Sequence, residues 1–289
     1  MTELTPPVAL PVLDALELLE RGEMTVQGRI TTASNATLYC AIELDGVTAA
    51  CVYKPVAGER PLWDFPDGTL AQREVATYLV AAATGWDPVP PTVLREGPVG
   101  TGMVQLWIAH DESFDILAAI NSGELPPLQR IALLDAVVNN SDRKVSHLLP
   151  VTAGRPDAAA VPDTAVAPDA AAAPTSAAAP DTAAAPDTAA APDKPDLHVY
   201  GVDHGVSFAT ENKLRTVLWQ WAGDPIPDEG IEVLHRLAEQ LDAGLGEQLA
   251  ELLTTAEVRA ARRRVRRLLS KGVFPLPPTA WPAIPYPPY

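Results

Sequence analysis

Two segments centred on aspartates carry the residue types that phosphoryl transfer requires. Residues 139–147 include Asp142, Lys144 and His147, and residues 199–205 include Asp203. Enzymes that transfer the terminal phosphate of ATP use one carboxylate to orient the attacking hydroxyl and another to bind the metal ion that bridges the phosphates. We therefore predict that Asp142 orients the hydroxyl, that Asp203 binds Mg²⁺ or Mn²⁺, and that Lys144 neutralises charge on the transferred group.

Each of these segments also has a simpler explanation. A polar loop between a helix and a strand accounts for residues 139–147, and a carboxylate that follows a strand commonly forms a turn. His147 stands where kinases usually place a metal-binding asparagine, and imidazole is a poor ligand for Mg²⁺. His147 is therefore a candidate metal ligand that leaves open whether a second metal site, or catalysis itself, is retained.

Two charged residues earlier in the chain complete the pattern of a nucleotide site. Lys54 ends a strand-like run and could reach the phosphates of a nucleotide under the sheet, while Glu74 lies in a helical run and could hold the Lys54 ammonium. Val52 shares the strand face of Lys54 and is a candidate to contact the base. Lysine and glutamate are mostly exposed, so a solvated role is the alternative for each alone. The order of lysine, glutamate and two aspartates favours the nucleotide site.

The loop at residues 31–37 lies where a kinase places its phosphate-covering turn. It lacks the Gly-x-Gly-x-x-Gly pattern of that turn. Ser34 and Asn35 could donate hydrogen bonds to phosphate oxygens in place of the bare glycine backbone. An ordinary hairpin turn explains the loop equally well.

The elements that position these residues fall into two groups. The hydrophobic pattern predicts a helix at 13–21, strands at 24–31, 37–44 and 47–53, a helix at 69–83 and two more strands, the second at 103–108. Later segments are helical, at 128–138, 213–221, 230–243 and 256–269. We therefore predict an α+β chain with a small antiparallel-sheet lobe and a mainly helical lobe. Its small antiparallel-sheet lobe (1–108) binds the nucleotide, and its mainly helical lobe (109–289) carries the catalytic and metal-binding loops.

A low-complexity segment at residues 152–196 separates the two aspartates. It consists almost entirely of Ala, Pro, Asp and Thr, which cannot bury enough apolar surface to offset the entropy of ordering, and it is predicted to be a disordered insertion. Once it is set aside, residues 147–151 and 197–202 form two strands of a hairpin whose tip has been expanded. Asp142 and Asp203 then lie at the base of this hairpin.

Composition and charge limit the class of protein. A chain of 289 residues with 47% hydrophobic content is long enough for a full core. Its net charge of -16 argues against a nucleic-acid-binding protein, which needs a basic surface. We find neither an apolar run long enough to cross a bilayer nor a signal-peptide pattern, so we expect a cytoplasmic protein that is not transmembrane.

The last predicted helix is strongly basic. Its arginines are Arg259, Arg262, Arg263, Arg264, Arg266 and Arg267. Such a patch could contact acidic lipid headgroups or a phosphorylated partner. Because the chain as a whole is acidic, pairing of these arginines with carboxylates of the same protein is the preferred explanation.

These motifs resemble those of the phosphatidylinositol 3- and 4-kinase-like branch of the kinase fold. Residues 142–144 stand where that branch has Asp-Arg-His, and residues 202–205 are similar to its Ile-Asp-Phe-Gly. Residues 58–61, 73–76 and 213–219 resemble motifs of a group of uncharacterised actinobacterial proteins assigned to that branch. The resemblance covers nearly the whole chain apart from the insertion.

The resemblance implies a two-lobed, protein-kinase-like fold and an ATP-dependent phosphotransferase, with ATP in the cleft and residues 103–108 as the strand that enters the hinge. The fold does not select the phosphoryl acceptor, which could be a protein, a lipid or a small molecule. A nucleotide-binding pseudokinase with a regulatory or scaffolding role is one alternative, favoured by His147 and the missing glycine pattern. A non-catalytic interaction protein that acts through the insertion and the proline-rich C-terminal tail is another.

Overall fold

A five-stranded antiparallel sheet carries the first of the predicted site residues. The computed structural model describes residues 11–30, 35–152 and 197–289, so Ser34 and nearly all of the predicted insertion lie outside the described residues. The strand order across the sheet is β1-β2-β3-β5-β4. The strands are β1 (Glu23–Ile30), β2 (Thr37–Leu44), β3 (Val47–Pro55), β4 (Thr92–Gly97) and β5 (Gly100–Leu106).

Two helices cover opposite faces of this sheet. Helix α1 (Val12–Arg21) packs on the face that holds Tyr53, and helix α2 (Leu70–Thr84) packs on the other face against Met103. Met103 is directly opposite Lys54 in the pairing of β3 with β5. Because directly opposed residues share a face of the sheet, Lys54 points toward α2.

Five more helices surround a second and larger hydrophobic core. They are α3 (Ile116–Ser122), α4 (Pro126–Val138), α5 (Asp228–Leu241), α6 (Gly244–Leu252) and α7 (Thr255–Lys271). Buried side chains of α4, α5, α6 and α7 meet in this core, and α2 contributes Ala76 and Val80 to it. Helix α2 therefore packs on the sheet and on the helical core at the same time. This double contact fixes the position of the sheet relative to the helical core.

A two-stranded hairpin joins the segments that contain the two aspartates. Strands β6 (Leu148–Thr152) and β7 (Leu197–Gly201) are antiparallel, with Leu148 opposite Gly201. The amide of Val202 donates to the carbonyl of His147 at 3.0 Å. This pairing confirms the hairpin predicted across the insertion, and it brings His147 next to the residue that precedes Asp203.

The predicted α+β, kinase-like fold class is confirmed by an antiparallel sheet beside a mainly helical part. One predicted helix is wrong, because residues 213–221 form no helix. The amide of Arg215 donates to the carbonyl of Asn140, and that of Val217 donates to the carbonyl of Arg143. These amides bond to the neighbouring segment instead of forming the i to i−4 bonds of a helix. Helices α3 and α6 were not predicted.

No helix in the described residues is both long enough and apolar enough to span a bilayer. The predicted boundary between residues 108 and 109 falls in the irregular segment that follows β5. Both this boundary and the cytoplasmic location stay predictions.

Candidate active site

The ammonium group of Lys54 lies between two carboxylates. Its Nζ is 2.8 Å from Oε1 of Glu74 on α2 and 2.8 Å from Oδ1 of Asp203, which follows β7. The side chains of Lys54 and Glu74 are 17% and 4% exposed, whereas that of Asp203 is 50% exposed. The structure therefore brings three of the predicted site residues into contact, and Asp203 is the one most accessible to a ligand.

The charges of this cluster shift one another's pKa values. Burial disfavours the ammonium of Lys54, but the negative charges of Asp203 and Glu74 outweigh burial and raise its pKa. The positive charge of Lys54 holds the pKa of Asp203 well below its ordinary value. Burial raises the pKa of Glu74 to about 7, even though Lys54 opposes this shift. At neutral pH Asp203 is thus a carboxylate, whereas Glu74 is close to its titration point.

Asp203 has an unusual backbone conformation that its neighbours hold in place. Its φ of 58° lies in the left-handed region, which costs a residue other than glycine about 1–3 kcal/mol. On one side Arg143 donates to the carbonyl of Val202 at 2.9 Å. On the other side the Nε2 of His204 lies 2.5 Å from the same guanidinium. Hydrogen bonds on both sides of Asp203 therefore keep its carboxylate directed at Lys54.

Asp142 lies in the loop that follows α4. The side chain of Asn140 accepts the amide hydrogen of Asp142 at 3.0 Å, which is the pattern of an Asx turn. The carboxylate of Asp142 is 3.1 Å from Nζ of Lys144. Burial raises the pKa of Asp142, although the charge of Lys144 acts in the opposite direction. The structure therefore places the two predicted catalytic residues together.

A buried ion pair anchors this loop to α4. Arg143 donates to both carboxylate oxygens of Asp135 at 2.9 Å, and both side chains are fully buried. The same guanidinium donates to the carbonyls of His147 and Val202. One side chain thus links α4, the loop of Asp142 and the segment of Asp203. Its partners are all within the protein, so the role of Arg143 is structural.

His147 lies beside Asp203, with its Nε2 3.4 Å from Oδ2 of that carboxylate. Burial lowers the pKa of His147 to about 4, although the charge of Asp203 opposes this shift. The imidazole is therefore neutral at pH 7 and retains a lone pair. Its Nδ1 is buried and has no hydrogen-bond partner among the described residues. A neutral imidazole of this kind can act as a metal ligand.

The donor atoms near Lys54 suit a divalent cation that a nucleotide helps to bind. In the part of the chain that the structure describes, no cluster of three or more His, Cys, Asp and Glu residues could hold a metal ion. Mg²⁺ is commonly bound by one or two carboxylates together with nucleotide phosphates, and the half-exposed carboxylate of Asp203 fits that mode. The nitrogen of His147 suits a transition-metal ion such as Mn²⁺ better than Mg²⁺.

The stem of the loop at residues 31–37 is tied to residues 58–60. The side chain of Asn35 accepts the amide hydrogen of Arg60 at 2.9 Å, and the amide of Ala36 donates to the carbonyl of Gly58. A Cβ atom on Gly58 would lie 2.4 Å from that of Ala36, so this close approach requires glycine. With its carbonyl oxygen engaged, the side-chain amide of Asn35 is the group that can donate to a phosphate.

Val52 lies on the strand that carries Lys54, and Glu59 contacts the helix that carries Glu74. Val52 lies two residues before Lys54 on β3 and is partly buried. Glu59 accepts the amide hydrogens of Leu70 and Ala71 in the first turn of α2. A carboxylate at a helix N-terminus is favourable because it meets both free N–H groups and the positive end of the helix dipole. Glu59 therefore anchors the helix that carries Glu74.

Three residues that shape the site were missed in the sequence. Asn140 stands two residues before Asp142, and this Asx-turn spacing was an available signal. Asp135 is a charged residue within an otherwise apolar run, which also marks a buried pair. Arg215 gave no signal. Burial raises the pKa of Asp142, and the positive charge of Arg215 opposes this rise because the chain folds residues 213–217 against residues 139–144.

Comparison with known proteins places the chain among relatives. No protein-family model matches it. It is similar to the Golgi casein kinase structure, with a TM-score of 0.42, 12% identity and coverage of 90% of this chain and 75% of that chain. It is also similar to the Helicobacter pylori proinflammatory kinase CtkA, with a TM-score of 0.40, 10% identity and coverage of 86% and 98%.

The sequence of this chain is also similar to that of a mycobacterial protein, Protein Rv2133c of Mycobacterium tuberculosis (strain ATCC 25618 / H37Rv). The two sequences are 37% identical over an alignment of 309 residues, a length that includes gaps. The match covers 93% of this chain and 95% of the relative, so it extends over nearly the full length of both. The chain therefore belongs to the family of Protein Rv2133c.

Proposed function

We propose that this protein is an ATP-dependent phosphotransferase with a kinase-like site. The contact of Lys54 with both Glu74 and Asp203 is the observation that carries the proposal. Kinases need a strand lysine paired with a helix glutamate, together with an aspartate that binds metal. Here β3, α2 and the end of β7 supply these three groups, and their ion pairs pre-position them for a nucleotide.

In the proposed reaction the γ-phosphoryl group of ATP passes to a hydroxyl group of the acceptor. The acceptor oxygen forms a bond to the γ-phosphorus while the bond to the β–γ bridging oxygen breaks, which releases ADP. The hydroxyl proton passes to Asp142, whose raised pKa makes it a better proton acceptor than an exposed carboxylate. Lys144 lies beside Asp142 and stabilises negative charge on the transferred group.

The remaining residues of the site bind the nucleotide. Lys54 contacts its phosphates, the amide of Asn35 donates to phosphate oxygens, and Val52 contacts the base. A divalent cation, Mg²⁺ or Mn²⁺, held by Asp203 with His147 beside it, would supply neutralisation of the phosphate charge. These contacts position the phosphoryl group, which is most of what catalysis of this type requires.

We assign the site to the phosphatidylinositol 3-/4-kinase-like type because residues 142–144 and 202–205 resemble the two motifs of that branch. This assignment concerns the arrangement of catalytic residues and leaves the acceptor open. A protein, a lipid or a small molecule could each present the hydroxyl group to Asp142.

A nucleotide-binding pseudokinase is the second candidate, and His147 is the observation that favours it. The side chain next to Asp203 is a neutral imidazole instead of the amide that binds the second metal ion in kinases. In this candidate the site would bind ATP without transferring its phosphate. Such a protein would act through the conformation that the nucleotide stabilises.

Turnover separates the two candidates. ATP binding by calorimetry, and ATP hydrolysis or autophosphorylation, are measured on the full chain with Mg²⁺ and with Mn²⁺. The same measurements are made on Asp142→Asn, on Asp203→Asn and on Glu232→Gln, which alters an exposed carboxylate on α5. A phosphotransferase loses turnover in both aspartate variants and keeps it in Glu232→Gln. If ATP binds in a metal-dependent way but none of the four proteins turns it over, the pseudokinase is favoured. If the unaltered protein does not bind ATP, both the phosphotransferase and the pseudokinase are refuted.

A further inference from the structure

Five of the seven cations on the basic helix α7 fall into two sets with different surroundings. Arg262 and Arg266 form ion pairs with Asp242 at 3.4 Å and 2.7 Å. Arg264, Arg267 and Lys271 form no ion pair with any residue that the structure describes, and all three border one cavity. Pairing within the protein therefore explains only the first set of these cations.

The cavity lies between α7, the end of α4 and the start of the C-terminal tail, and its volume is about 300 Å³. This is at the lower end of the range of pockets that hold small ligands. Its walls are mainly apolar and include Ala136, Leu214, Leu268, Val273, Phe274 and Leu276. Apolar walls beside unpaired cations match a ligand that has a hydrocarbon part and a negatively charged head.

Arg264 has a hydrogen-bond donor that lacks an acceptor. Its Nε donates to the carbonyl of Val137 at 2.9 Å and its Nη1 to the carbonyl of Ala209 at 3.0 Å. Its Nη2 is buried and has no partner among the described residues. This donor is shielded from solvent, so Arg264 contributes its positive charge to the cavity that it borders, and the exposed side chains of Arg267 and Lys271 supply hydrogen-bond donors for an oxyanion. Burial lowers the pKa of Arg264 to about 10, which still leaves it positively charged at neutral pH.

We propose that this cavity binds a free, single-chain amphipathic anion, such as a fatty carboxylate or an alkyl phosphate. Arg264, Arg267 and Lys271 hold the charged head, and the hydrocarbon chain packs against Leu214 and Phe274. A free ligand fits better than an anionic membrane surface for two reasons. Most apolar groups of the cavity, among them Leu214, Leu268 and Phe274, are buried and do not project as a flat patch. An anionic bilayer also faces the wider acidic surface of a chain whose net charge is -16, whereas a single anion in the cavity lies beside three cations.

The site is separate from the proposed phosphotransferase site, because none of its lining residues belongs to the groups assigned to ATP or to catalysis. The proposal therefore does not depend on phosphoryl transfer and can be tested without nucleotide. Titration calorimetry on the full chain compares four probes that share one chain length: decanoate, decyl phosphate, neutral decanol and cationic decyltrimethylammonium.

We expect decanoate and decyl phosphate to bind at least about tenfold more tightly than decanol, since charged hydrogen bonds contribute about 1.5–3 kcal/mol each. Decyltrimethylammonium should not bind. Arg267→Gln and Lys271→Gln should each weaken anion binding, whereas Arg259→Gln, an equal change of charge on the same helix outside the cavity, should not. Leu276→Ser should weaken all chain-bearing probes, and because Leu276 is 71% exposed the fold should tolerate it.

Several results would overturn the proposal. If decanol and decanoate bind with equal affinity, the cations do not contribute to binding. If Arg267→Gln and Arg259→Gln weaken decanoate binding equally, the effect comes from the net charge of the helix and not from the cavity. If none of the four probes binds, the cavity is not a ligand site. Binding to phosphatidylglycerol vesicles without binding of free decanoate would make α7 a membrane-contact face instead.

Discussion

Lys54 and Asp203 form an ion pair of 2.8 Å although 149 residues separate them in the chain. The hairpin of β6 and β7 returns the chain to the segment that contains Asp142. This return places Asp203, which follows β7, next to Lys54. The pair therefore joins the sheet to the mainly helical part of the protein at the point where the proposed nucleotide phosphates bind. Substitutions here test the site most directly.

Replacing Lys54 with methionine removes the cation between the two carboxylates. We expect ATP affinity to fall by about tenfold or more, because a charged hydrogen bond to a phosphate contributes about 1.5–3 kcal/mol. Lys54→Arg should retain part of the affinity, since it keeps the charge but not the compact ammonium. Calorimetry measures both. Unchanged ATP affinity in a folded Lys54→Met protein would show that the nucleotide does not contact this residue.

Replacing His147 with asparagine should change the metal preference of ATP binding. An amide oxygen next to Asp203 suits Mg²⁺, whereas the imidazole suits a transition-metal ion. We expect the ratio of ATP affinity in Mn²⁺ to that in Mg²⁺ to be lower in His147→Asn than in the unaltered protein. The control is His198→Asn, which alters a partly buried ring on β7 whose Nε2 lies 3.0 Å from the carbonyl oxygen of Asp87. If the ratio is the same in the unaltered protein, His147→Asn and His198→Asn, His147 does not contact the metal ion.

Replacing Asp135 with asparagine should destabilise the protein strongly. The change leaves the buried Arg143 guanidinium without a counter-charge, and breaking a buried pair costs about 3–5 kcal/mol. Glu17→Gln, which breaks the exposed pair with Arg21 on α1, should cost less than about 1 kcal/mol. Urea denaturation measures both free energies of unfolding. Similar values for the two variants would mean that the Arg143 pair is not the anchor of the loop.

Replacing Glu257 with glutamine should reduce stability at neutral pH and have little effect in acid. Burial opposes the charge of Glu257, but hydrogen bonds from Arg73 and Thr254 outweigh it, and its folded-state pKa lies below the ordinary value of 4.5. A depressed carboxyl pKa contributes stability above 4.5 that is lost as the pH falls through the folded-state value.

Glutamine keeps one oxygen that can accept from the Thr254 amide in the capping box, but its amide nitrogen cannot accept from Arg73, so the substitution removes the charge together with the hydrogen bond from Arg73. The measurement is the difference in unfolding free energy between the two proteins from neutral to acid pH. A difference that stays constant over this range would mean that the ion pair of Arg73 with Glu257 does not control the stability.

The local pattern of the sequence was enough to predict most of the elements. The turn at Asp45 and Gly46 sets the pairing of β2 with β3, and α2, α4, α5 and α7 lie close to their predicted bounds. These elements follow from alternation in strands, the 3.6-residue period in helices and strong turn residues, all of which are local properties. The predicted helix at 213–221 failed because its amides bond to residues far away in the sequence.

The sequence by itself determined the residue types of the site and their order, together with the strand face that carries Lys54. This was possible because side-chain alternation and motif spacing depend only on residues that are close together in the sequence. Only the tertiary structure decided that one lysine contacts two carboxylates, that Arg215 lies beside Asp142, and that a buried donor of Arg264 lacks a partner. Each of these depends on distance and burial between segments remote in sequence, and the packing of the whole chain sets both quantities.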